Sequence, residues 1–270
     1  LILISVFFFN FLFNRTDPGH LVVSFLDVGQ GDAIFIKTPN GKKVLIDAGP
    51  DSKVLREVSG LINFYERNID LFIATHSDAD HIGGLPEILK RFNLDKYIYN
   101  GKEDLDGLNS EILEILNKQK IDQHVATAGD KIILDHENNI YIEILWPEKD
   151  KELKDNNEYS VITRIVFNEI EFLLTGDASK DAENKISDAY EIESNVLKAG
   201  HHGSDTSTSL KFLEAVNPEY VIISAGLDNK FGHPKESVLN NISKIKAKVL
   251  ETFVSSTITF ETSGEELWIR

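Results

Sequence analysis

Residues 75–84 of the 270-residue chain read THSDADHIGG, with two histidines and two aspartates inside six positions, directly after the apolar run IDLFIA. Solvated loops seldom concentrate those groups, and a core cannot hold them unpaired. His76, Asp78 and Asp80 alternate, while Asp80 and His81 are adjacent. In a loop at a strand end, His76 and Asp78 can reach one ion and Asp80 and His81 a neighbouring one. Imidazole nitrogen with carboxylate oxygen suits zinc, manganese or iron. A helix-capping role would account for Asp80 but leaves the flanking histidines unexplained.

Later stretches supply matching groups. Asp177 follows the apolar FLLTG. Alone it reads as a turn residue, but beside the first cluster it can bridge two cations about 3.5–4 Å apart, an arrangement suited to hydrolysing phosphate esters. In GHHGS, residues 200–204, glycines flank two histidines and permit backbone that larger residues resist. His201 is the expected completing ligand, and His202 the expected holder of an attacking or departing oxygen. His233, in FGHP at 231–234, is a further candidate for that role. Ser204 and Asn157 are weaker candidates for contact with substrate, and Asn156 shares the latter's setting. His20, His124 and His136 stand in dispersed polar surroundings and read as surface or structural residues.

DVGQGDA, residues 27–33, invites a nucleotide-loop reading through Gly29 and Gly31. Its spacing fits neither GxGxxG nor GxxxxGK[ST], and it lies between strands rather than before a helix. No nucleotide cofactor is expected. A tight turn carrying backbone and Asp27 or Asp32 beneath the metal centre is the better account.

These residues need elements to position them. LVVSFL, DAIFIKT and KKVLIDAG read as short strands, with Asn40-Gly41 as a hairpin signal. A helix is expected over Ser52–Tyr65, then a buried strand delivering His76, then a helix from Gly83 with Leu85, Ile88 and Leu89 on one face. Residues 96–145 alternate short strands with a helix near SEILEILNK, and PEKDKELKDNNE reads as a charged loop. A second cycle starts at YSVITRIVF, crosses a hairpin at Asn168-Glu169 to IEFLLTGD, and continues through a helix and the strand SNVLKAG. Each half thus carries an acid after one apolar strand and a histidine cluster after the next, where open sheets carry their sites. Two such halves facing each other would form one cleft.

Composition bounds the chemistry. At 41% hydrophobic and 27% charged, the chain can bury a sizeable core. It has no cysteine, which excludes disulfides and thiolate metal sites. A net charge of −16 repels polyanions, except where bound cations reverse the local potential. The opening LILISVFFFNFLF, within a hydrophobic segment at residues 1–15, is thirteen residues long, short of the about 20 that span a bilayer. It reads as a truncated transmembrane span or anchor, with part of a signal peptide or a buried strand as alternatives, so membrane association is expected.

FLDVGQGDA, VLIDAG, THSDADHIGGL, FLLTGDA, LKAGHHGS, SAG and FGHP, in this order, resemble the metallo-β-lactamase superfamily, and within it the hydrolase domain of the DNA-internalisation competence protein ComEC. The resemblance runs from about Leu21 to the C terminus. It implies a four-layer αββα sandwich over residues 20–270 and a two-metal hydrolase holding Zn2+ or Mn2+. Carried over residue by residue, it makes His76, Asp78, Asp80 and His81 metal ligands, Asp177 the bridge, and His201 or His202 a further ligand. The histidine that the superfamily usually carries between the first cluster and the bridging aspartate has no counterpart here. The resemblance further implies phosphodiester hydrolysis, with single-stranded DNA as the expected substrate in DNA uptake, a membrane partner through the N-terminal segment or an upstream channel domain, and an extracytoplasmic location. Two alternatives are a hydrolase of a small ester, thioester or lactam, and a non-enzymatic membrane-associated scaffold. Lys198, Lys211, Lys230 and Lys235 are the basic residues expected at the rim of a polynucleotide cleft.

Overall fold

LVVSF, IFIK and KVLI are apolar at nearly every position, the pattern of strands covered on both faces. The computed structural model, which describes residues 19–102, 107–149 and 156–270, buries them in that way. They form β1 (Leu21–Phe25), β2 (Ile34–Lys37) and β3 (Lys43–Ile46). Side chains alternate between faces along a strand, so Val23, Ile36 and Val44 meet the opposing sheet while Phe35 and Leu45 meet helices.

The first sheet continues through β4 (Asn68–Ile73), β5 (Asn93–Tyr99) and β6 (Asp122–Val125). The second comprises β7 (Lys131–Asp135), β8 (Ile140–Trp146), β9 (Ile162–Phe167), β10 (Ile170–Leu174), β11 (Val196–Lys198), β12 (Tyr220–Ile223) and β13 (Lys248–Glu251). The last strands, β14 (Ile258–Thr262) and β15 (Leu267–Ile269), return to the first sheet, whose order is β15-β14-β1-β2-β3-β4-β5-β6. The second sheet runs β13-β12-β11-β10-β9-β8-β7. Three apolar clusters fill the gaps, one between the sheets and one between each sheet and its helices. The result is the expected four-layer αββα sandwich.

Both sheets turn parallel where the chemistry lies: β3, β4, β5 and β6 run parallel, as do β10, β11, β12 and β13. Their carboxyl ends deliver Asp47, His76, Asp177 and the pair His201–His202. A backbone hydrogen bond from Val161 N to Thr75 O, 2.9 Å, ties the two sheets at that end.

Three expectations are revised. The second sheet starts at Lys131 rather than at Tyr159, because β7 and β8 pair antiparallel and β8 then pairs with β9. The helix expected over Ser52–Tyr65 ends at Leu61. Asn63 donates from its side chain to Glu66, 2.6 Å, and a backbone bond closes the same turn, a local alternative that competes with helix. Membrane association is not retained: among the described residues no helix is long and apolar enough to cross a membrane. The longest helix among the described residues, Gly107–Gln119, has 13 residues against the about 20 that a span requires. The hydrophobic segment 1–15 and part of the charged loop expected at 147–158 lie outside the described residues.

Candidate metal centre

Asp177, buried at the end of β10, is the hub. Its Oδ1 lies 3.3 Å from His81 Nε2, and its Oδ2 lies 3.5 Å from His202 Nε2 and 3.6 Å from His201 Nε2. Asp80 Oδ2 stands 3.4 Å from His202 Nε2, and Asp78 Oδ2 stands 3.5 Å from His76 Nε2. The ring centroids of His76 and His81 are 4.1 Å apart. The structure thus brings together all six expected metal ligands, drawn from one loop of the first sheet, after β4, and two of the second, after β10 and β11.

Hydrogen bonding on the far side of each ring fixes what it presents to the centre. Ser224 O can only accept, so His202 donates to it from Nδ1, 2.9 Å, with Asp32 Oδ1 also 3.3 Å away. His81 donates from Nδ1 to Asp47 Oδ2, 2.7 Å. Thr75 Oγ1 gives its proton to Asp47 Oδ2, 2.7 Å, and so accepts from His76 Nδ1, 3.0 Å. Thr206 Oγ1 gives its proton to Ser204 Oγ, 3.0 Å, and so accepts from His201 Nδ1, also 3.0 Å. All four imidazoles therefore turn Nε2 toward the centre, the arrangement by which outer partners orient metal ligands.

The buried atoms His76 Nε2, His81 Nε2, His202 Nε2 and Asp177 Oδ1 have no hydrogen-bond partner. Buried polar groups are normally paired, and this donor set, nitrogen and oxygen without sulfur, suits a divalent cation. One ligand-capable atom from each of Asp32, His81, Asp177 and His202 lies within 4.8 Å of the others. Within that group Asp32 belongs to the supporting layer, because its carboxylate pairs with buried Lys198, 2.7 Å, and with the far side of His202.

The electrostatics agree. Burial disfavours charge on His81 and His202, yet nearby carboxylates prevail: Asp177 and Asp47 raise His81 well above its ordinary value, and Asp177 and Asp32 raise His202 to about 9. Burial opposes ionisation of Asp177 too, but His202 and His81 hold it well below the ordinary carboxylate range. The His76 ring, its Nε2 3.5 Å from Asp78 Oδ2, brings Asp78 down to about 2 despite partial burial. A proton or a cation fills the same negative surroundings, so metal binding competes with protonation.

Backbone conformation is spent at this site. Asp47, His201 and His202 have φ of 58°, 46° and 55°, a region that non-glycine residues seldom occupy and that clusters at functional sites. Gly31 is required for a different reason. With φ of 133° it passes so close to the first cluster that a Cβ would lie 2.1 Å from Asp80 O. Asp32 N then donates to that same oxygen, 3.2 Å. The DVGQGDA turn thus carries Asp32 beneath the centre, while Asp27 pairs with Lys53 at 2.9 Å.

His233 is half-buried beside the centre, with its ring centroid 5.7 Å from that of His201. Partial burial and the His201 and His202 rings bring it down to about 4. Asn157 Nδ2 is 3.5 Å from His201 Nδ1, and Asn156 bonds Asp78 and Ser77. Ser204, a candidate for substrate contact, is buried and faces Thr206, so it acts on His201 through that residue. Among the rim lysines, Lys198 is fully buried on Asp32, and Lys211 pairs with Asp188 at 3.4 Å. Lys230 and Lys235 remain on the loop that carries His233. The roles of Asp47 on His81 and of Lys198 on Asp32 were not anticipated. Asp47 had a signal, since it ends an apolar strand in LIDAG as Asp177 does after FLLTG.

A family model described as the metallo-beta-lactamase superfamily matches residues 26–226. The chain is 28% identical over 256 residues to "ComE operon protein 3" of Bacillus subtilis, covering 88% of this chain and 32% of that protein. It is 30% identical over 242 residues to "Competence protein ComA" of Neisseria gonorrhoeae, again covering 88% of this chain and 32% of that protein. The chain thus spans about a third of the length of these relatives. A long form RNase Z from yeast superposes with a TM-score of 0.57 at 12% identity, covering 94% of this chain and 43% of that one, a likeness of fold alone.

Proposed function

Because the chain belongs to the metallo-beta-lactamase superfamily and carries a clustered divalent-metal site, it is a metal-dependent hydrolase, and we propose that it hydrolyses phosphodiesters as a nuclease acting on single-stranded DNA. The observation that carries this reading is the two-sided use of Asp177. Its Oδ1 faces His81 and its Oδ2 faces His201 and His202, which suits a carboxylate shared between two cations. In this reading His76, Asp78 and His201 would hold one ion and Asp80, His81 and His202 the other, with Asp177 within reach of both sets. Zn2+ and Mn2+ both suit this donor set.

Two cations held there would lower the pKa of water toward neutrality and neutralise charge on phosphate oxygens. The residues of the chain supply the rest. Asp47 and Ser224 O hold His81 and His202 in the tautomer that presents Nε2. His233, neutral at ordinary pH, stands beside His201, where it can hydrogen-bond a phosphoryl or departing oxygen without bringing a proton to it. The relatedness to proteins named for competence supports DNA as the polymer. The net charge of −16 favours a strand fed one phosphate at a time over a wrapped duplex.

The test is a side-by-side turnover assay of single-stranded DNA, duplex DNA, bis-p-nitrophenyl phosphate and a thioester, using protein stripped with EDTA and reloaded with Mn2+ or Zn2+. Single-stranded DNA should be cut faster than duplex, activity should vanish on chelation and return with metal, and Mn2+ should match or exceed Zn2+. Dominant thioester turnover without DNA cleavage would replace the nuclease reading with that of a small-substrate hydrolase.

A further inference from the structure

Beside the metal centre, at the carboxyl ends of β4 and β5, lies a recess of about 60 Å3 lined by His76, Tyr97, Tyr99, Asn100, Lys102 and Ile112, among others. His76 is common to both places, its Nε2 facing the centre. We propose that this recess is a nucleobase subsite that takes a single-ring pyrimidine base flanking the scissile phosphate. This inference rests on the nuclease reading of the neighbouring centre and deepens it.

Three features carry it. The first is an unsatisfied donor. Asn100 is only 6% exposed, and its Oδ1 accepts from Lys102 N, 3.0 Å, which fixes the amide so that the other end is Nδ2. That nitrogen is buried and has no partner. A buried donor left unpaired costs free energy, and a ring carbonyl such as pyrimidine O2 would satisfy it. The second is an aromatic wall. Tyr97 is stacked between Phe72 and Tyr99, with centroids 5.8 and 5.6 Å away, which leaves the half-buried Tyr99 ring as the aromatic surface of the kind proteins offer to unpaired bases. The third is size and charge. A volume of about 60 Å3 holds roughly five waters and is well short of the about 150 Å3 that encloses a benzene ring, so the recess takes only the leading edge of a base, and a single-ring pyrimidine presents its O2 edge there with less of the base left outside than a purine. Lys102 also lines the recess, its ammonium 5.6 Å from the Tyr159 ring centroid, and supplies a cation for the backbone that leads the base in.

The test is calorimetric binding of dTMP, dCMP, dAMP, dGMP and base-free 2-deoxyribose 5-phosphate to Mn2+-loaded full-length protein. All five probes offer the same phosphate to the metals, so any difference reports the base. The pyrimidine nucleotides should bind about tenfold or more tighter than the base-free sugar phosphate, the scale of one stacking contact, and tighter than the purines. Asn100→Leu and Tyr99→Ala should each erase most of that advantage while leaving the affinity for 2-deoxyribose 5-phosphate unchanged. The second variant alters a less buried residue and keeps the test decisive if the first fails to fold. Equal binding of all five probes, a purine preference, or a pyrimidine preference that survives the variants would overturn the proposal. DNA hydrolysis is scored in the same preparations. A pyrimidine preference without hydrolysis would remove the nuclease reading and leave the subsite; hydrolysis without base preference would remove the subsite alone.

Discussion

Asp47 Oδ2 accepts the Nδ1 proton of His81 at 2.7 Å, while the opposite nitrogen of that ring faces Asp177 at 3.3 Å. One residue at the end of β3 therefore sets the orientation of His81, a proposed metal ligand delivered by the loop after β4. The same carboxylate accepts from Thr75 N, 2.8 Å, and from Thr75 Oγ1, 2.7 Å, so it also fixes the residue before His76.

Asp47→Asn should lower metal affinity about 10- to 100-fold, the usual cost of losing an outer partner of a metal-bound histidine. Asparagine tolerates the left-handed φ of 58°, so the variant removes charge without forcing the backbone. Metal titration followed by elemental analysis checks this, and activity should recover at excess metal. Recovery failing at full occupancy would mean that Asp47 does more than orient His81.

Asp177→Ala should abolish hydrolysis with the fold retained. The residue faces three imidazoles at once, so the loss of turnover should exceed the about 100-fold that an outer partner can cause. Circular dichroism and the metal content of the purified variant complete the measurement. Unchanged turnover would mean that the reacting centre lies elsewhere.

Lys198→Met should destabilise the protein by about 3–5 kcal/mol, because it strands Asp32 as a buried charge. Both side chains of the pair are at most 2% exposed. Urea denaturation reads the effect. A rim lysine would instead change DNA affinity and leave the unfolding midpoint in place.

Glu183 gives a pH dependence away from the metal ligands. It lies on the helix Lys180–Ala189, is fully buried, and accepts from the backbone of Thr208 and Ser209. Burial outweighs those bonds and pushes its carboxyl up from 4.5 to about 7. A raised carboxyl contributes stability that is present below pH 4.5 and lost as pH rises through about 7. The change should be on the order of 3 kcal/mol. Glu183→Gln should flatten the unfolding midpoint between pH 4.5 and 7 relative to wild type; an identical pH profile in the two proteins would contradict the assignment.

Periodicity and motif order carried much of this protein. Continuous apolar runs such as VLI and LFI announced strands buried on both faces, and an acid or histidine directly after each run announced where the polar groups would emerge. That is local information, because a strand end and the turn after it are specified by adjacent residues. Even the turn at DVGQGDA could be anticipated from its glycines, although the contact of Gly31 with Asp80 could not.

Partnership across the sheets was decided only by the tertiary structure. The Nδ1 environment of His202 comes from Ser224 and Asp32, residues far apart in the chain, and nothing local to GHHGS reveals which ring faces inward more deeply. The backbone turn decides it: His202 ends 2% exposed on its side chain and His201 28%. Lys198 looked like a surface cation because lysine is almost never fully buried unless paired, and its partner Asp32 sits on the other sheet. The return of β14 and β15 to pair beside β1 is likewise a long-range choice. It covers the free side of β1 with residues from the far end of the chain, and strand pairing at that separation is set by which edge remains open once the rest has packed.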